Sequence, residues 1–101
     1  MPEMRFTIAW PDGASEDCYS PSLVIRDHLA EGAVYPLADF MARARTALTI
    51  ASDRVAAKYG HPCSLALGQL DRLERRAAGF KDQPQAEVAC LRFQLPQGFA
   101  R

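Results

Sequence analysis

Cysteine is scarce here, and what there is lies far apart: Cys18, Cys63 and Cys90 are the three in 101 residues. A disulfide framework wants a denser, even set, so an odd, scattered trio points to a reducing compartment. No apolar run approaches the roughly 20 residues that a membrane helix needs. The opening residues, Met1-Pro2-Glu3-Met4-Arg5, lack the basic-then-apolar order of a secretory leader. These absences together give the expectation of a cytoplasmic protein. Net charge is also missing, since twelve basic residues balance twelve acidic ones. That removes the simplest electrostatic signature of a nucleic-acid binder. Internal repeats and low-complexity stretches are absent. So are a phosphate-cradling glycine loop, a dinucleotide fingerprint and a nucleophile elbow. No cofactor is therefore expected. A metal centre drawn from Cys18, Cys63 and His61, with Cys90 or His28 added, matches no zinc spacing, and none is expected.

What is present suffices for one folded domain. Apolar residues make up 49% and charged residues 24%, enough of the former to offset ordering entropy around a real core. The length fits a single domain over residues 1–101, with an ordered core at about 4–95. The charge is unevenly spread. Residues 1–39 hold seven acids and two bases, and residues 40–101 hold five acids and ten bases. The simpler reading is that the two halves pack and offset each other. The alternative is weak nucleic-acid binding through the basic helical half.

Residues 4–10 alternate apolar and polar, which predicts a strand with Met4, Phe6, Ile8 and Trp10 on one face. Pro11-Asp12-Gly13 is a turn, with glycine in the left-handed position. A second strand runs to about Tyr19, and a hairpin with Trp10 near Ala14 sets Phe6 opposite Cys18. Ser20-Pro21-Ser22 reads as a helix start, with Ser20 as cap and Pro21 in the first helical position. Val24, Ile25, His28 and Leu29 would share a side, although the β-branched pair leaves an extended segment open over residues 21–30. From Tyr35-Pro36, the apolar positions Leu37, Phe40, Met41, Ala44, Leu48, Ala51, Val55 and Tyr59 form a six-turn stripe closed by Gly60. A third helix follows His61-Pro62-Cys63-Ser64, with Ala66, Leu70, Leu73 and Ala77 inward. Its stop is at Gly79, with Phe80 packing back. Residues 86–95 alternate again, with Ala89, Leu91, Phe93 and Leu95 expected inward and Val88, Cys90, Arg92 and Gln94 outward.

The expected fold is thus α+β in the order β-β-α-α-α-β, a three-stranded, mainly antiparallel sheet with its helices on one face. A hairpin alone is marginal, so the last strand must return beside the first. The bare face would show Arg5, Thr7, Asp17, Tyr19, Arg92 and Gln94. The two alternations place Cys18 and Cys90 on opposite faces.

Chemistry is harder to find. Cys63 is the sharpest candidate, because unpaired N–H groups in a first helical turn favour the reactive thiolate, and His61 stands two residues away. Cys63 and His61 are accordingly the candidate catalytic pair. Ile50 interrupts the polar side of the long helix, among Arg43 and Arg54, and those three mark a possible interface. No two carboxylates are placed together for acid–base work.

Several of these segments are familiar in combination. Met-Pro-Glu-Met-Arg-Phe at the start, Trp10-Pro11-Asp12-Gly13, Cys18-Tyr19-Ser20-Pro21-Ser22, Arg45-Thr-Ala-Leu48, Ala51-Ser52-Asp53-Arg54-Val55 and Tyr59-Gly60-x-Pro62-Cys63-Ser64 resemble a small family of bacterial nitrogen starvation response proteins. The resemblance covers about residues 1–75. It implies encoding beside nitrilase-like, radical-SAM, acetyltransferase-like and flavoprotein genes, and it supplies no catalytic positions. The functional expectation is an accessory protein without catalysis that binds a partner encoded nearby, or itself. A thiol-dependent enzyme or ligand binder using Cys63 and His61 is the alternative.

Overall fold

The computed structural model describes residues 2–96. The alternation of the first segment does produce a strand, β1 (Met4–Ala9), and the Pro-Asp-Gly turn returns it as β2 (Ser15–Ser20). Gly13 takes φ +86° and donates its N–H to the Trp10 carbonyl at 2.8 Å, and Trp10 donates to Ala14 at the same distance. The Asp12 carboxylate accepts from the Ala14 N–H and finishes the turn. Phe6 faces Cys18 as expected.

The next segment departs from expectation. Ser20 ends β2 instead of capping a helix. Its hydroxyl accepts from Ser22 N–H, and the Ser22 hydroxyl accepts from Val24 N–H. These two serine turns compete with helix, so α1 is only the turn Ile25–His28. It buries Ile25, with Val24 and Leu29 beside it. After Gly32 the chain forms a strand that alternation does not reveal, β3 (Val34–Pro36). Three residues ending in proline carry too little pattern to be read, and an edge position tolerates the missing donor.

Pro36 then leads into α2 (Leu37–Tyr59), which buries Phe40, Met41, Ala44, Ala47, Leu48, Ala51 and Ser52. Leu48 is fully buried and Val55 half-buried, but the last turn leaves the core and exposes Tyr59. α3 (Ser64–Ala78) buries Ala66, Gln69 and Leu73. Cys63 caps it from outside, one position earlier than expected. Phe80 packs back as predicted, stacked on Trp10 with ring centroids 6.0 Å apart, while Phe40 meets Trp10 edge-on at 6.2 Å. Each such fully buried side chain contributes about 1.5–3 kcal/mol of transfer free energy.

The last strand, β4 (Glu87–Gln94), returns beside β1. The sheet therefore has four strands, not three, in the order β2-β1-β4-β3, all antiparallel. The inward assignment of β4 also needs correction. Ile8 faces Cys90 and Thr7 faces Arg92, so Leu91 is a bulged extra residue. Before it, Val88 and Cys90 are buried and Ala89 faces outward; after it, Phe93 stands opposite Phe6. Leu91 itself is 43% exposed. Cys90 and Cys18 thus lie on the same, core-facing side of the sheet, flanking β1. On the bare face, Thr7 is unexpectedly buried, because its hydroxyl donates to Asp17 Oδ1 at 2.6 Å across the strand pair. The element order is β-β-α-β-α-α-β, with one apolar cluster between the sheet and the helices.

Candidate functional site

Cys63 and His61 lie in the corner that joins α2 to α3. Gly60 turns the chain there in the left-handed conformation, φ +87°, and donates its N–H to Ala56. Pro62 keeps His61 out of the helical region. Cys63 accepts the Leu67 N–H at its carbonyl, and its own N–H donates to Ser52 Oγ at 3.2 Å. Ser52 is a buried residue of α2, so this bond clamps the corner to the helix it leaves. The Cys63 side chain is half-buried. His61 is exposed, with Nδ1 3.4 Å from the Pro62 carbonyl. Among the described residues, no hydrogen bond joins the imidazole to the thiol.

Behind the corner lies a residue that the pattern reading passed over. Gln69 is 1% exposed. Its Oε1 accepts from Tyr19 N–H and from Arg72 Nη2, both at 3.0 Å. The outer edge of β2 is thereby tied to α3 at a donor that would otherwise face solvent. The Nε2 has no partner among the described residues. The available signal was a glutamine three residues after Ala66 and four before Leu73, on the inward stripe of its helix. Tyr19 is pushed up to about 12, chiefly by burial and then by its hydroxyl's bond to Glu3.

The other two thiols are buried. Burial pushes Cys90 up to about 11, with the Glu31 carboxylate adding to it. Cys18 is pushed up further, by burial first and by the nearby Glu16 charge second. Among the described residues, no group of three or more His, Cys, Asp or Glu side chains is disposed to hold a metal ion.

The candidate interface residues are engaged within the chain. Arg43 forms an ion pair with Asp39 at 3.1 Å, donates to the His28 carbonyl at 3.0 Å and lies 4.9 Å above the Tyr35 ring. Arg54 donates to Ser22 Oγ at 3.0 Å. Both therefore hold the β2–β3 connection onto α2. Ile50 is half-buried against the main cluster. By contrast, Tyr59, Leu65 and Leu67, which surround the corner, are 56%, 64% and 43% exposed.

No helix of the described residues is long and apolar enough to cross a membrane. A search of curated proteins and a search of solved structures each returned no match to the chain. A family model does match, described as nitrogen starvation-induced protein NitG, and it spans residues 5–93. That span takes in every strand and helix except the ends of β1 and β4, and the chain belongs to this nitrogen starvation-induced family.

Proposed function

We propose that the protein is a non-catalytic accessory component that docks a protein partner in a nitrogen-starvation response. One observation carries this reading. Tyr59 at the end of α2 and Leu65 and Leu67 near the start of α3 expose large apolar side chains on either side of one turn, and that turn is tied to α2 by the Cys63–Ser52 bond. Single exposed apolar residues are ordinary, but several around one ordered turn suit a contact surface. Arg43 and Arg54 bond within the chain, which favours the α2–α3 corner over their face of α2 as the proposed docking surface.

The test compares the wild-type protein with Leu65→Glu. Light scattering after size exclusion reports self-association, and capture experiments with candidate proteins of the same response report other partners. Loss of a dimer or of a captured protein in Leu65→Glu supports the reading. A strict monomer that captures nothing the variant loses argues against it.

A second reading rests on Cys63 alone among the thiols. It is the one cysteine not fully buried, and it stands at the amino end of α3. Thiol labelling against pH separates this reading from the first.

A further inference from the structure

We propose that a trough on the bare face of the sheet, at the end far from the α2–α3 corner, binds a small, flat organic cation such as an amidinium. The floor follows from register. Ala9 pairs with Ala89, and Ala89 pairs with Val34. Three adjacent strands thus present two methyl groups and one valine side by side, where every neighbouring row carries a longer side chain. The result is a shallow apolar strip wide enough for a planar group.

Two preformed walls deepen it. On one side stands the Pro11–Gly13 turn, closed by its own hydrogen bonds. On the other is the 82–86 loop, built from successive turns: Gln83 N–H donates to Phe80, Ala86 N–H to Gln83, and Leu37 N–H ties Ala86 to the start of α2. The trough is open to solvent and offers about 630 Å³, a volume within the range of small-molecule sites.

The lining chemistry selects the sign of the ligand. Asp82 and Glu87 supply carboxylates, Gln83 and Gln85 supply amides, and among the described residues no Lys, Arg or His contributes to the lining. Neither carboxylate is engaged by another described residue in a hydrogen bond or ion pair, whereas Asp12 on the neighbouring turn is already held by Arg76 at 2.8 Å. A planar cation with N–H donors at one end satisfies both features: its ring covers the alanine strip and its donors meet the two carboxylates of the rim.

The experiment titrates the full chain with benzamidinium and follows backbone amides by NMR, with neutral benzamide and anionic benzoate as comparators. Saturable shifts centred on residues 9, 13, 34 and 89 with benzamidinium alone are expected. The Asp82→Asn/Glu87→Gln double variant should bind at least about tenfold more weakly, the worth of a charged hydrogen bond. Ala89→Leu should fill the floor and abolish the shifts while the urea midpoint stays close to wild type. Equal response to benzamide or benzoate, shifts centred elsewhere, or unchanged binding by the double variant would each overturn the proposal. Leu65→Glu lies at the other end of the molecule and should bind benzamidinium normally, so this test and the docking test fail independently.

Discussion

Two glycines of opposite worth give a sharp test of the fold. Gly60 ends α2 at φ +87° with nothing within 4 Å of the space a Cβ would fill. Gly60→Ala therefore meets no clash, and its cost is conformational alone. Forcing an L-residue into the left-handed region costs about 1–2 kcal/mol. Gly68 lies inside α3, and there a Cβ would meet only the far end of Arg72 at 4.0 Å. Gly68→Ala removes backbone freedom from the unfolded chain and should stabilise by about 0.5–1 kcal/mol. In a domain of this size, 1 kcal/mol moves the melting temperature by about 4–8 °C. Urea unfolding should show the two midpoints moving in opposite directions with an unchanged slope, because neither variant alters the surface exposed. If Gly60→Ala is neutral, the corner is not held left-handed. If Gly68→Ala destabilises, α3 is packed more tightly than described. Either outcome refutes the geometry on which the docking surface rests.

Phe80→Ala should cost about 3–5 kcal/mol, since it empties a buried site against Trp10, and tryptophan emission should shift to the red. A thiol reagent should label Cys63 in the native protein while Cys18 and Cys90 react only after unfolding; native labelling of all three would contradict the buried pair. A Cys63 rate no faster than that of a free cysteine would remove the enzymatic reading. Tyr19 is raised in the folded state, so the stability it contributes is complete below the ordinary tyrosine value near 10 and is lost as pH rises towards about 12. Alkaline unfolding should therefore be less steep in Tyr19→Phe, and the phenolate absorbance of wild type should lag behind that of a free tyrosine. Asp12 is lowered mainly by its bond to Arg76, so its contribution is present above the ordinary carboxylate value and lost in acid; Asp12→Asn should flatten the acid limb of the stability profile.

The elements legible in the sequence were those with a strong period. The hairpin register, the long α2 stripe and the packing of Phe80 followed from spacing and turn chemistry. The failures have particular causes. β3 is three residues long and ends in proline, so period-2 alternation has nothing to act on. The serines of residues 20–22 suit a helix cap and a hydroxyl turn equally, and tertiary context chose the turns. In β4 a strict alternation was carried through a position where the strand gains a residue, which exchanged the faces of Val88 and Cys90 with those of Ala89 and Leu91. The candidate site was partly legible. Cys63 and His61 do share one turn, but the clamp from Ser52 and the hidden glutamine behind it depend on which helix faces which strand. Spacing along the chain does not encode that.

The extra residue in β4 has a consequence for how substitutions in this strand should be read. Leu91 acts as a phase shifter: upstream, even-numbered positions answer to the oily interior, and downstream the odd-numbered ones do. Deleting it would not shorten a loop but would rotate half a strand, turning either Cys90 towards water or Phe93 away from Phe6. A polar residue at 91 should thus be nearly silent, while the same change one position earlier should unfold the protein.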